Sequence, residues 1–211
     1  MRKFILLLFI ITIVTELQAE DITLNPYFQS GMVLQRDEPI TIWGESDPNK
    51  KFQVCLGDEK KMAKSDDNGK WSVRFGKRKA SFTPLSLKVG ENLLLEDILI
   101  GDVWLCSGQS NMVFPLRNGD YDTKNISGYS KEMSNIRILS YKGLRLIAKN
   151  GYDESELARC NKDDFFTLKW NKATTGSLQG FSAVATHFGL NIVSHINVPL
   201  GLVQCLSLIH I

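Results

Sequence analysis

Short runs of β-branched and aromatic residues, separated by turn signals, fill most of residues 22–100. The runs with the composition of strands lie at 32–35, 40–43, 52–56, 71–75 and 85–89. Repeated short strands with Pro, Gly, Asp and Asn between them are typical of an antiparallel β-sandwich. The acidic stretch Asp66-Asp-Asn-Gly69 lacks the alternating ligands of a calcium loop, so it predicts a hairpin turn that ends at Gly69.

The pattern changes after Gly101, where strand-like and helical segments alternate. The strand-like runs lie at 102–107, 135–139, 166–170 and 198–203. Residues 181–196 have helical periodicity. The apolar face predicted for this helix carries Phe181, Val184, Ala185, Phe188, Ile192 and Ile196. Strand, helix and strand in this order predict an α/β layer in which the strands around Val103, Ile136 and Leu202 are neighbours in a parallel sheet. The sequence thus predicts a mixed β and α/β fold.

The motif that most directly suggests chemistry is Gly108-Gln-Ser-Asn-Met112, at the end of the apolar run 102–107. A nucleophilic serine needs a tight turn that exposes its hydroxyl, and glycine accepts backbone angles that other residues resist. Ser110 is therefore a candidate nucleophile, and Gln109 and Asn111 are candidates for oxyanion or substrate contacts. A serine in this setting can also be a loop or helix-cap hydroxyl. Met112 replaces the second glycine of the Gly-x-Ser-x-Gly elbow, which argues against that class of α/β-hydrolase.

The longer string Gly101-Asp-Val-Trp-Leu-Cys-Ser-Gly-Gln-Ser-Asn-Met112 closely resembles the nucleophile segment of the sialate O-acetylesterase family, a branch of the SGNH hydrolases. Upstream, Gly31-Met-Val-Leu-Gln-Arg36 and Pro39-Ile-Thr-Ile-Trp-Gly44 are similar to N-terminal segments of that family. Further similar segments follow in the family's order at 136–139, 168–171, 181–184, 188–189 and 198–203. The resemblance extends from about residue 25 to residue 204.

This resemblance implies a secreted carbohydrate O-acetylesterase whose substrate is an O-acetylated sugar or sialoglycoconjugate. Ser110 would attack the acetyl ester. The implied architecture is an accessory antiparallel β-sandwich over residues 22–100, followed by the N-terminal part of an SGNH-type α/β hydrolase domain over residues 101–211. No metal or organic cofactor is implied, because a serine mechanism needs none. A formal net charge of +2 gives no argument for a nucleic-acid partner.

A serine esterase also needs a base and a carboxylate that orients the base. The family resemblance implies an Asp-x-x-His arrangement, but the local string here is Ser207-Leu-Ile-His210. His187 and His195 lie on the predicted helix, where a surface or structural role is expected. The oxyanion loop that the family has after the 201–204 strand is also absent. We therefore expect an incomplete, inactive fragment of a longer protein.

Residues 1–19 have the pattern of a secretory signal peptide. Arg2 and Lys3 precede an apolar stretch at 4–14 that is too short for a comfortable membrane span, with an uncleaved anchor as the alternative. We expect the mature chain to begin near Glu20. Its location would be outside the cell, in a secretory or lysosomal lumen, or in a bacterial periplasm, with no membrane contact after cleavage.

An oxidising compartment changes how the four cysteines are interpreted. Cys55, Cys106, Cys160 and Cys205 allow three complete disulfide pairings, which the sequence does not separate. Cys106 lies in an apolar strand and is predicted to be a buried small hydrophobe. Asn125-Ile-Ser127 is a possible N-glycosylation acceptor, so Asn125 is a candidate modification site.

Two hypotheses compete with the esterase. The first is a non-catalytic glycan-binding or interaction protein that uses Trp43 and Trp71 as sugar-stacking rings, although each lies within an apolar strand that favours a core position. The second is a non-functional fragment with no stable fold.

Overall fold

The computed structural model describes residues 22–120, 124–142, 151, 153–159 and 167–206. The predicted signal peptide, Cys160 and His210 lie outside the described residues. The strands are β1 (Thr23–Leu24), β2 (Val33–Gln35), β3 (Pro39–Glu45), β4 (Lys51–Leu56), β5 (Glu59–Lys64), β6 (Lys70–Lys77), β7 (Ser81–Val89), β8 (Leu93–Gly108), β9 (Ile136–Lys142), β10 (Thr167–Lys172) and β11 (Leu200–Leu206). The α-helices are α1 (Ser110–Val113), α2 (Ser130–Ser134), α3 (Glu154–Ala158), α4 (Thr175–Leu178) and α5 (Ala183–His195).

A small antiparallel sheet has the strand order β1-β3-β6. Burial alternates along β3 and β6, because successive side chains of a strand point to opposite faces. The inward side chains include Ile42, Trp71 and Phe75, and they share one hydrophobic cluster with β4 and β7. Trp71 is only 3% exposed, so it is not available as a stacking ring, whereas Trp43 on the outer face is 41% exposed.

The large sheet has the order β10-β9-β11-β8-β7-β4-β5, and β2 also pairs with β8. The 16-residue strand β8 is the longest strand described. Its first half pairs antiparallel with β7, and its second half pairs parallel with β11, from Leu200 opposite Asp102 to Leu206 opposite Gly108. β11 is also parallel to β9. The prediction that the strands at Val103, Ile136 and Leu202 are neighbours in a parallel sheet is confirmed.

The turn at residues 66–69 differs from the hairpin that the sequence predicts. The turn itself forms: the Asp66 carbonyl accepts the Gly69 N–H at 3.0 Å, and Gly69 has φ +80°. However, β5 belongs to the large sheet and β6 to the small one, so the chain crosses between sheets at this point. The Asp66 carboxylate also accepts the N–H groups of Asn68 and Lys70, and this local hydrogen bonding fixes the crossing.

The buried face of α5 is rotated from the predicted one. The buried residues are Ala183, Ala185, Thr186, Gly189, Leu190 and Val193, whereas Val184 is 51% exposed. The reason is the close approach of the helix to the sheet at Gly189, where a Cβ atom would lie 2.6 Å from Leu202 Cδ1. Small residues at the contact bring the helix backbone close to the sheet, and Phe188 and Ile192 of the predicted face are only partly buried beside it.

These elements confirm a mixed, sheet-rich α/β architecture. The boundary at residues 100 and 101 stays a prediction, and β8 runs through it without a break. Leu139 and Trp170, from the second half of the chain, pack in the cluster of the N-terminal strands. Within the described ranges, no helix is long and apolar enough to cross a bilayer.

An ion cluster joins the first half of β8 to β9 and β10. Asp97 Oδ2 lies 2.9 Å from Lys172 Nζ, and Asp97 Oδ1 lies 3.6 Å from Nη2 of the buried Arg137. The hydrogen bond from Lys172 is the main cause that lowers the pKa of Asp97 from its ordinary value of 3.8, and the Arg137 charge adds to it. Asp97 has φ +57°, a conformation that Asn also adopts readily.

We predict that Asp97→Asn lowers the free energy of unfolding at neutral pH. A carboxylate whose pKa is lowered by folding stabilises the protein above its unfolded-state pKa, and this contribution is lost as the pH falls through the folded-state pKa. The difference between wild type and variant should therefore shrink below about pH 4. Urea unfolding over a pH series measures this difference in the free energy of unfolding. The control is Glu91→Gln, on the exposed turn between β7 and β8. A difference that is constant with pH would contradict the charge-based explanation.

Candidate active site

Ser110 lies at the carboxyl edge of the parallel part of the large sheet. β8 ends at Gly108 and α1 begins at Ser110, beside the carboxyl end of β11. Gly108 has φ 157°, and a Cβ atom there would lie 3.3 Å from Met112 Cβ, so glycine suits this tight turn. Ligands of open α/β sheets bind in the crevice outside the carboxyl ends of the strands, and Ser110 is exposed there.

The Ser110 hydroxyl does not cap the helix. Gln109 is the N-cap residue of α1, and no side chain makes a capping hydrogen bond. By contrast, the hydroxyls of Ser177 and Ser182 both bond to backbone groups at helix starts. In the part of the chain that the structure describes, Ser110 Oγ has no hydrogen-bond partner, and this removes the helix-cap interpretation.

Gln109 and Asn111 flank the serine, and both are exposed. The Gln109 carbonyl accepts the N–H of Met112 at 2.9 Å, and the Ser110 carbonyl accepts the N–H of Phe114 at 3.1 Å. The N–H groups of Ser110 and Asn111 lie in the first turn, where no carbonyl inside the helix can accept them. The geometry therefore leaves backbone donors and two side-chain amides beside the hydroxyl. Their contacts with an oxyanion or substrate stay a prediction.

The segment after α1 is fixed by the entrance to α5. Leu116 donates its N–H to the Phe181 carbonyl, and Ala183 donates to the Phe114 carbonyl, both at 2.9 Å. Pro115 and Ser182 form an isolated antiparallel bridge between the two segments. These contacts limit the movement of the turn that carries Ser110.

Ser182 connects three elements at this entrance and is fully buried. Its Oγ accepts the Ala185 N–H at 3.2 Å as the N-cap of α5, and it lies 3.3 Å from Met112 Sδ in α1. Its own N–H donates to Gln204 Oε1 of β11 at 3.2 Å. Sequence analysis did not single out Ser182 or Gln204. A serine two residues before an apolar helical run is the signal that could have identified the cap.

We predict that Ser182→Ala lowers the free energy of unfolding by about 1 kcal/mol, because the start of α5 loses its cap. The matched control is Ser194→Ala on the same helix, where the exposed hydroxyl bonds to the Asn191 carbonyl and to the His195 ring and does not cap the helix start. The control should change stability by less than about 0.5 kcal/mol. Urea denaturation followed by circular dichroism gives both values, and equal effects would contradict the role of Ser182.

The two described histidines are not paired with the serine. His187 is exposed on α5, and His195 is exposed near its end. His195 Nδ1 lies 2.8 Å from the Asn191 carbonyl oxygen and 3.0 Å from Ser194 Oγ, so its contacts are local to the helix. Neither ring forms a hydrogen bond with Ser110. The structure therefore places the candidate nucleophile but assigns no base among the described residues.

Within the described ranges, the part of β8 that leads to Ser110 has a neighbouring strand on one side only. Over residues 102–108, β8 pairs with β11 alone. Trp104 and Leu105 on this segment are 46% and 66% exposed, and the Trp104 ring meets Phe188 edge-on at 5.1 Å. In the described chain, an unpaired strand edge and exposed apolar surface therefore lie next to Ser110.

The remaining predicted sites lie apart from Ser110 in sequence. Asn125 is exposed, and its Oδ1 accepts the Ser127 hydroxyl at 2.9 Å; its glycosylation stays a prediction. Cys106 is buried as expected, and burial raises the pKa of its thiol. Cys55, Cys106 and Cys205 are not disulfide-bonded. Across the described ranges, no group of three His, Cys, Asp or Glu side chains is placed to hold a metal ion.

Comparison with known proteins gives relatives of one kind. No family model matches the chain. The sialate O-acetylesterases of Mus musculus and Homo sapiens are each 30% identical to it over 198 residues, which cover 84% of the chain. The chain spans about a third of the length of these curated relatives.

A solved structure agrees with this result. The crystal structure of a carbohydrate acetylesterase from Xanthomonas citri matches 88% of the chain and 40% of its own length, with a TM-score of 0.71 and 27% identity. The sequence and structural similarity together show that the chain belongs to the sialate O-acetylesterase family.

Proposed function

We propose that the protein is a carbohydrate O-acetylesterase that removes acetyl groups from sialic acids or related sugars with Ser110 as the nucleophile. The observation that carries the proposal is the state of the Ser110 hydroxyl, which is exposed at the carboxyl edge of the sheet and takes no part in helix capping. The names of the relatives, sialate O-acetylesterase and carbohydrate acetylesterase, support the choice of an acetylated sugar.

The reaction is a two-step acyl transfer. Ser110 Oγ attacks the carbonyl carbon of the acetyl ester, and the carbonyl oxygen becomes an oxyanion that the Ser110 N–H, Gln109 and Asn111 would contact. The bond to the sugar oxygen then breaks, the sugar leaves with a proton, and an acetyl-serine remains. Water attacks this ester, which releases acetate and restores the hydroxyl.

A base must take the proton of the Ser110 hydroxyl. His187 and His195 are poor candidates, because neither is hydrogen-bonded to Ser110 and His195 bonds within its own helix. We infer that the base and its carboxylate come from sequence equivalent to the remaining two thirds of the relatives' length. The exposed Trp104 and Leu105 of β8 support this inference, because a parallel sheet is normally covered on both faces.

The proposed architecture follows from the same elements. The two sheets around the N-terminal cluster support an accessory antiparallel β-sandwich over residues 22–100. The parallel strands β8, β11 and β9 with α5 support an SGNH-type α/β part from residue 101 onward. We further propose that the protein is secreted, on the strength of the apolar pattern in residues 1–19.

The test is Ser110→Ala in the full-length protein. It should reduce acetate release from an O-acetylated sialic acid and from an aryl acetate by about 10⁴-fold or more, because the covalent nucleophile is lost. The matched control is Ser107→Ala, an exposed serine three positions earlier on β8, which should keep near-normal turnover. Normal turnover in Ser110→Ala, with unchanged circular dichroism, would contradict the proposal.

A further inference from the structure

The outer face of the small sheet forms a groove that is separate in sequence from the Ser110 region. The groove has a volume of about 1230 Å³, and its lining residues all lie between Thr23 and Ser72. None of them belongs to β8, β11, α1 or α5. The proposed esterase chemistry therefore does not account for it.

An exposed aromatic ring lies in this groove. Trp43 belongs to β3, in which Ile42 and Gly44 are buried and Trp43 faces outward. The Phe28 ring meets it edge-on, with 4.5 Å between centroids and 80° between planes. This contact restricts the indole, yet Trp43 stays 41% exposed. A large aromatic side chain held in place and open to solvent is available for stacking with a ligand.

Polar side chains surround the ring on the same face of the sheet. Ser72 is the cross-strand partner of Trp43, and Lys70 and Thr23 are the partners of Glu45 on its two sides. Residues opposite each other in a sheet share a face, so these side chains lie around Trp43. They include both hydrogen-bond donors and acceptors, and both signs of charge. A ligand with many hydroxyl groups fits this mixture better than one with a large net charge.

The second tryptophan at the groove, Trp71, belongs to the inward face of the small sheet. It is 3% exposed, and its Nε1–H has no hydrogen-bond partner in the described chain. Successive side chains of a strand point to opposite faces, so the Trp71 ring lies on the other face from the Ser72 side chain, and Trp43 is the tryptophan that can stack on a ligand.

We propose that this groove binds carbohydrate, with Trp43 stacking on the apolar C–H face of a sugar ring while the surrounding polar side chains contact its hydroxyls. A sugar ring combines these two surfaces, and Trp43 with Ser72, Glu45 and Lys70 is complementary to both. The site would hold the glycan apart from the ester at which Ser110 acts. It does not depend on the esterase activity.

The test follows the indole N–H signals of the full-length protein by nuclear magnetic resonance. The sequence holds four tryptophans, so each reports on its own surroundings. Sialyllactose and cellotetraose are the probes, because neither carries an O-acetyl ester and both can be titrated without turnover. At least one sugar should shift the Trp43 signal, and the same shift should appear in Ser110→Ala. A shift confined to Trp104, on the strand that leads to Ser110, would overturn the proposal.

Two variants test the groove directly. Trp43→Ala should weaken sugar binding by roughly tenfold or more, through loss of the stacking contact. Ser72→Tyr should also weaken it by filling the groove, without removing the contact between Trp43 and Phe28. The matched control is Phe82→Ala on β7, an aromatic side chain with the same exposed fraction of 41% outside the groove. Absence of binding by both sugars, or binding that survives both Trp43→Ala and Ser72→Tyr, would overturn the proposal.

Discussion

The parallel pairing of β8 with β11 determines where Ser110 lies. Because Leu206 is paired with Gly108, both strands end at the same level, and the turn to Ser110 begins there. The pairing starts at Asp102, directly after Gly101, where an added Cβ would lie 2.8 Å from Pro199 Cβ. The Asp102 N–H donates to the Pro199 carbonyl at 2.9 Å, so any side chain at this glycine would disturb the register. A shift of one residue in the pairing register would move every side chain of the strand to the other face of the sheet.

Contacts from the end of β2 and the residue after it fix β8 where its parallel half begins. Arg36 Nε and Nη2 donate to the two carboxylate oxygens of Asp102 at 2.7 and 3.1 Å, which is a bidentate pair. Gln35 Oε1 accepts the Val103 N–H at 2.9 Å. The polar end of segment 31–36, one of those that resemble the family, thus anchors the strand that leads to the candidate nucleophile. Together with Ser182 and Gln204 at the other end, these contacts position Ser110 from both sides.

The sequence predicted the features that depend on local pattern. Buried and exposed side chains alternate clearly along β4 and β6, the glycine-containing turn before Ser110 is locally encoded, and the order of strand, helix and strand predicted the strand neighbours. The features it missed depend on tertiary contacts. β5 contains Lys60, Lys61 and Lys64 and has no apolar pattern, and it is a strand only because β4 pairs with it. The face of α5 depends on how closely Gly189 approaches Leu202, which periodicity does not encode. No local pattern could pair Ser110 with a base, since such a pair forms only across the fold.

The proposed mechanism requires that Ser110 carry the acetyl group during turnover. The most informative measurement is acid quenching of the full-length protein during hydrolysis of an acetylated sugar, followed by peptide mass spectrometry. We expect one added acetyl group on the peptide that contains Ser110, and its loss as substrate is exhausted. Turnover with an acetyl group on another residue would contradict the mechanism.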